Sequence, residues 1–206
     1  MAAFFASGKI TITSQQEPLL LCAIRHAIDA GIGTLACMTD YRHNRVPGHS
    51  YFFTVRLQDP ASTLLTEHIS AFGEAIRQAR GKKPFHVDAW VALHDHAHAI
   101  WTLPPGDADC ASRWRAVKIA FSKAIRKSRS PPPGATIWQR HYQHKLIADE
   151  TDYGRMVDYI HANPVAHGMC SHPAEWPWSS VHRFVAEGFI IAPEIHQNRA
   201  RRAAAR

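Results

Sequence analysis

The sequence is poor in the features of a secreted, membrane or zinc-knuckle protein. It has four cysteines in 206 residues, Cys22, Cys37, Cys110 and Cys170, with no CxxC pair among them. That spacing excludes a zinc knuckle and offers no disulfide framework, so reduced thiols in the cytoplasm are expected. No apolar run is long enough to cross a bilayer: Leu19-Leu20-Leu21-Cys22-Ala23-Ile24 is broken at once by Arg25, His26 and Asp29. A secretory signal pattern is also missing. Acidic residues are outnumbered, 17 against 24 Lys and Arg, for a formal charge of +7. Arg199, Arg201, Arg202 and Arg206 place four of those charges in an Ala/Arg tail, which leaves a mildly basic body and a weak pointer to a polyanionic partner.

What is present suits one domain with a real core, since 46% of the residues are hydrophobic. The character of the chain changes at Met38, where a polar stretch leads into strand-like Tyr51-Phe52-Phe53-Thr54-Val55-Arg56-Leu57. Residues 1–37 therefore read as an N-terminal extension with the native start expected at Met38, 38–186 as the domain, and 187–206 as a basic tail expected to be disordered. After the first strand, Leu65, Ile69, Phe72 and Ile76 recur at helical spacing behind a Ser62/Thr63 cap, and Gly81 is expected to close that helix. Residues 85–93 and 96–103 predict a hairpin turning at His94-Asp95. Trp114, Val117, Phe121 and Ala124 then share a helix face, Pro131-Pro132-Pro133-Gly134 breaks the chain, and 137–147 predicts a fourth strand. The order β-α-β-β-α-β is the α+β, ferredoxin-like pattern, an antiparallel four-stranded sheet with both helices on one face. A further helix at about 151–162 lies outside that pattern.

Histidine is abundant, with 15 copies, and two of them form His96-Ala97-His98 inside an apolar run. On a strand the pair points to one face, and two neutral imidazoles side by side can grip a divalent metal. Two polar-bonded structural histidines are the competing reading. The added helix supplies a chemical partner, because Tyr159 and Asn163 lie one helical turn apart. An amide oxygen can ligate a hard metal, and a phenol can attack a phosphodiester and remain covalently attached to the broken strand. The phenol needs activation at its ordinary pKa of about 10, and the metal field and Arg155, one turn back, are the candidates to supply it. Tyr153 and Tyr142 are rival nucleophiles, though Tyr153 is about 80° from Asn163 on the helical wheel. Arg115, Lys118, Ser122, Arg126 and Arg129 line one flank of the second helix, a stripe suited to a phosphate backbone or to plain solvation. It carries no base-reading content.

Several motifs in the same order make the chain similar to a known family. They are Tyr51-Phe52-Phe53-Thr54-Val55, Ala89-Trp90-Val91-Ala92-Leu93, His96-Ala97-His98, Ile137-Trp138-Gln139-Arg140, Asp152-Tyr153, Tyr159-Ile160-His161-Ala162-Asn163-Pro164-Val165 and Glu175-Trp176-Pro177-Trp178-Ser179-Ser180. In these the chain resembles the REP-associated tyrosine transposases, within the HUH single-tyrosine transposases of bacterial insertion sequences. The resemblance implies that His96 and His98 are metal ligands, that Asn163 completes the site, and that Tyr159 forms a 5′-phosphotyrosine link. It further implies Mg2+ or Mn2+, a hairpin-bearing single-stranded DNA of the repetitive extragenic palindromic type, and a monomer or homodimer. Arg115, Lys118, Arg126, Arg140 and Arg155 are the candidate DNA-binding cations. Two positions depart from the family pattern. His94-Asp95 stands where Pro-Asn or a similar pair precedes the first histidine, which bears on the metal site, and Ala148 stands where an Arg is common, which bears on a phosphate contact. Trp176, Trp178 and Arg183 read either as a surface for unpaired bases or, more commonly for such residues, as packing beneath the added helix. Two other functions fit the same residues: a nucleic-acid-binding module without chemistry, and a metal-dependent hydrolase with a water nucleophile.

Overall fold

The computed structural model describes residues 46–128 and 135–188. The extension 1–37, the expected start at Met38, Arg129, the Pro-Gly break and most of the basic tail lie outside the described residues. The elements run β1 (Ser50–Arg56), α1 (Leu64–Glu67), α2 (Ile69–Lys82), β2 (His86–Ala92), β3 (His96–Thr102), α3 (Cys110–Ser128), β4 (Gln143–Leu146), α4 (Glu150–Ala166), a 3-10 turn (Pro173–Glu175) and α5 (Val181–Ala186). All strand pairs are antiparallel, in the order β2-β3-β1-β4. This is the ferredoxin-like sheet that the alternation of elements implies, with β1 and β3 at its centre.

Alternation along the two central strands sorts their side chains to opposite faces. Phe53 and Val55 of β1 and Ala97, Ala99 and Trp101 of β3 join Phe72, Trp114, Val117 and Phe121 in one core beneath α2 and α3. Phe52, Val91, Leu93 and Ile100 form a second core with Val157 and Ile160 of α4. The added helix therefore covers the face that α2 and α3 leave open.

Three local expectations are corrected. The helix expected from Ser62/Thr63 is broken at His68, whose backbone (φ −117, ψ 36) is not helical. There the Thr66 hydroxyl meets His94 Nδ1 at 2.7 Å, which ties α1 to the β2–β3 turn and leaves α2 to start anew. Gly81 does not end α2, which runs on to Lys82. On α3, Ala124 is exposed and Ile125 is buried in its place, so the buried row runs Trp114, Val117, Phe121, Ile125. An apolar side chain of greater area at the next position is favoured for burial. The fourth strand is also shorter than 137–147, because Trp138 leaves the ladder after one bridge to Leu57 and packs against Phe72 and Phe121.

α4 begins at an Asp149 cap, whose carboxylate accepts from the Asp152 amide, and continues through Asn163-Pro164 to Ala166. Pro164 therefore does not terminate the helix at Asn163. Tyr159 and Asn163 both remain on regular helix, and their one-turn spacing is preserved. The last part of the domain protects the free edge of β2, where Ala92 N donates to Trp178 O (2.9 Å) and Ser180 N to Trp90 O (2.8 Å). Trp176 is buried and its indole donates to Ala92 O at 2.9 Å, which is the packing role rather than a surface for bases. Cys110 and Cys170 are free thiols. Among the described residues no helix is long and apolar enough to cross a membrane.

Candidate active site

His96 and His98 open β3 and face α4, together with Thr54 and Arg56, which sit opposite them across the β1 ladder. The two imidazoles are 5.1 Å apart between ring centroids and are almost wholly buried, at 2% and 3% exposure. Neighbours orient both rings. The Asp95 carboxylate accepts from His96 Nδ1 at 2.7 Å, and the Thr54 hydroxyl meets His98 Nδ1 at 2.9 Å. With Nδ1 engaged, Nε2 is the nitrogen each ring has left for a ligand. The departure at His94-Asp95 thus has two separate consequences: Asp95 positions a site histidine, while His94 is held by Thr66 and packs edge-on to Trp176 (5.6 Å), away from the pair.

Tyr159 comes down from α4 with its ring 5.3 Å from that of His98 and 5.7 Å from Phe52. Asn163, one turn later, is 1% exposed and lies close enough to the phenol for its amide to pull the phenol's pKa down. His96 Nε2 and Asn163 Oδ1 are both buried and lack a hydrogen-bond partner. With Nδ1–H of His96 directed at Asp95, both orphans are acceptors, and a buried lone pair without a donor costs free energy that a cation would recover. Among the described residues no three His, Cys, Asp or Glu gather in metal-holding geometry. The candidate metal set is accordingly mixed, two imidazoles and one amide oxygen, and its donor chemistry fits a divalent ion.

The electrostatics suit neutral imidazoles. Burial holds His98 well below its ordinary pKa, with the charges of His96, Arg56 and His167 acting in the same direction. Burial also lowers His96, against the opposing pull of its hydrogen bond to Asp95. Only the neutral ring ligates a metal, so burial prepares both. Burial raises the Tyr159 phenol, while the Asn163 amide and the Arg56 charge pull it down.

Arg56 is a site residue that the sequence reading missed. Its position in a Phe52-Thr54-Arg56 alternation was visible, but the pairing that sets it opposite His96 was not. It supplies the cation acting on Tyr159, whereas Arg155 is exposed on α4. His167 was missed as well, with its ring 5.2 Å from His96. Of the rival tyrosines, Tyr142 packs with Phe53 and Trp114 on the opposite side of the sheet. Tyr153 sits near Asp88 and Arg183, and its phenol is raised strongly by burial.

The candidate DNA-binding cations separate. Arg115, Lys118, Arg126 and Arg140 line one groove of about 900 Å³ beside α3, and Arg155 stands apart from it. Within the groove Lys118 donates to Gln139 O at 2.8 Å and lies over the Trp138 and Tyr142 rings, a packed position that lowers its pKa. Arg126 reaches Ala135 O at 3.3 Å, and Arg115 and Arg140 are exposed.

A ferredoxin-like sheet that presents two buried histidines to a tyrosine on a covering helix has the layout implied by the resemblance to HUH single-tyrosine transposases. Comparison with known proteins narrows that class. No protein-family model matches the chain. A REP-associated tyrosine transposase of Escherichia coli (strain K12) is 40% identical over 151 residues, 73% of this chain and 87% of that protein. A Haemophilus influenzae (strain Rd KW20) protein bearing the same family name is 36% identical over 155 residues, 72% of this chain and 88% of its own length. Among solved structures, a REP-associated tyrosine transposase bound to a REP hairpin is similar at a TM-score of 0.68 and 38% identity, over 77% of this chain and 93% of that one. The chain belongs to the REP-associated tyrosine transposases.

Proposed function

We propose that this protein cleaves and transfers single-stranded DNA next to a REP-type hairpin, with Tyr159 as the nucleophile. The reading is carried by one observation: the Tyr159 ring lies against His98, whose neighbour His96 and the Asn163 amide near the phenol each bury an acceptor without a partner. Family membership and the hairpin bound to a relative support the substrate class. His96, His98 and Asn163 would hold Mg2+ or Mn2+. When bound, such an ion polarises a non-bridging phosphate oxygen and neutralises charge that develops on the phosphoryl group.

The chain's own residues do the rest. The Tyr159 oxygen attacks phosphorus, its proton is lost, and the departing 3′-oxygen takes up a proton to become a free hydroxyl. The 5′-phosphate stays on the protein as an ester, so a second strand's 3′-hydroxyl can reverse the step without nucleotide hydrolysis. Asn163 and Arg56 stabilise the phenolate against the burial that opposes it, and Phe52 confines the ring from the side. Asp95 and Thr54 hold the imidazoles in register. The groove bearing Arg115 and Arg140 offers a phosphate-binding surface for the hairpin.

The test is an adduct assay. Hairpin DNA with single-stranded flanks, incubated with Mn2+, is expected to give a denaturant-resistant protein–DNA species that Tyr159→Phe abolishes. Cleaved DNA without attached protein would assign the cut to water, and an adduct surviving Tyr159→Phe would place the nucleophile elsewhere.

A further inference from the structure

The sheet edge beside the site contains a cleft of which only Thr54 and Arg56 take part in the chemistry just described. β4 pairs with β1 only along Tyr51 to Thr54, so the two segments part beyond Gln143. The chain rejoins where Gln139 N donates to Arg56 O at 3.0 Å. The space between is a cleft of about 410 Å³ lined by Thr54, Arg56, Gln139, His141, Tyr142 and Gln143. That volume falls within the range of roughly 300–1,000 Å³ common to small-ligand pockets.

Two of its walls belong to the active site. Thr54 hydrogen-bonds His98, and Arg56 pairs across from His96. Residues directly paired in a sheet share a face, so Gln143, opposite Thr54, opens on the same side as the histidines. The lining has a guanidinium, an imidazole, two carboxamides and part of Tyr142, whose ring is packed with Phe53 and Trp114, but no carboxylate and no aliphatic side chain. Carboxamides pair with the edges of an unstacked base, the exposed His141 ring offers a stacking face, and an Arg fork matches phosphate oxygens. An aliphatic or cationic ligand would find little there to hold it.

We propose that this cleft seats the unpaired nucleotide adjoining the scissile phosphate, with Gln139 and Gln143 reading its base and Arg56 gripping the phosphate. The proposal rests on the strand-cleaving reading of the site and adds that the protein itself recognises one base at the cut. Arg56 then has two contacts in one motion, the phosphate and the phenolate that attacks it.

Binding and chemistry are tested separately. Equilibrium binding by fluorescence anisotropy uses Tyr159→Phe protein and REP-type hairpin oligonucleotides whose single-stranded flanks carry one abasic site at a time. One position is expected to weaken binding by about tenfold, and that penalty should shrink to under about twofold when Gln139→Ala and Gln143→Ala are added. Penalties of the same size with and without the glutamines at every position would overturn the base-reading cleft. In the otherwise unaltered protein, Arg56→Gln is expected to slow adduct formation by about tenfold to a hundredfold while hairpin affinity moves less than about threefold. Arg56→Lys, which keeps the charge but loses the fork, should recover part of that rate. An unchanged rate in Arg56→Gln would overturn its phosphate role. Absence of any adduct from the unaltered protein, with the abasic penalty still tied to the glutamines, would support the cleft and remove only the strand-cleaving reading.

Discussion

The two faces of one sheet have been put to opposite uses. Beneath α2 and α3 the strands present Phe53, Val55 and Trp101, and the rings close up to 4.0 Å between Trp101 and Trp114 and 4.1 Å between Phe85 and Trp101. Beneath α4 the same strands, one residue out of step, present Thr54, Arg56, His96 and His98. Both faces bury atoms without hydrogen-bond partners, but of different kinds. On the first they include the indole nitrogens of Trp101, Trp114 and Trp138, donors at the rim of large apolar rings. On the second they are His96 Nε2 and Asn163 Oδ1, acceptors on the sheet and on the helix that covers it. The first face accepts a minor loss within a large gain of apolar burial, and the second retains polar acceptors that the proposed cation would satisfy.

Substitutions on each face should therefore fail in different ways. The largest effect is expected from His98→Ala, which removes one of the proposed metal-holding imidazoles and should lower the rate of adduct formation by about a thousandfold or more while the protein stays folded. Quenched-time adduct gels alongside circular dichroism check both halves, and loss of the fold with the activity would erase the contrast. Trp114→Ala tests the other face. It is expected to cost about 3–5 kcal/mol of stability in urea unfolding, because the cavity left between Phe53 and Trp101 cannot fill. Asp95→Ala is intermediate, leaving the ligands in place but freeing the His96 ring. A weakening of Mn2+ affinity by about 10–100-fold, measured by titration calorimetry, is expected, and unchanged affinity would reduce Asp95 to a surface residue.

The smallest effect concerns an acid-sensitive link far from the site. The Asp109 carboxyl is held well below the ordinary carboxylate range by Lys83, then by Ser112. A carboxylate with a depressed folded pKa contributes stability that is present above its unfolded value of about 3.9 and is lost as pH falls through the folded one. The pair is partly exposed, so solvent screening keeps the contribution below about 1 kcal/mol. Asp109→Asn should lower stability slightly at pH 6 and flatten its decline between about pH 4 and 2, as followed by thermal unfolding. Adduct formation at neutral pH should not change.

Much of this contrast was legible in the residues. The hairpin at His94-Asp95, the strand bearing His96 and His98, and the helix joining Tyr159 to Asn163 all followed from periodicities of two and of three to four residues. Less legible were features set by partners distant in sequence. The break at His68 depends on Thr66 meeting His94, and the shortening of the fourth strand depends on Trp138 finding a place between Phe72 and Phe121. Arg56 was an unremarked strand residue until the ladder set it opposite His96, 40 positions later in the chain (residue numbers of the β1–β3 register).

By itself the sequence determined which side chains travel together, because backbone geometry dictates that His96 and His98 share a strand face and that Tyr159 and Asn163 share a helix face. The tertiary structure alone decided that these two faces meet. It also chose Arg56 over Arg155 as the cation at the phenol and made Asp95 the partner of His96. Those outcomes depend on strand register and helix docking, which are settled by burying apolar surface over the whole sheet rather than by any local run of residues.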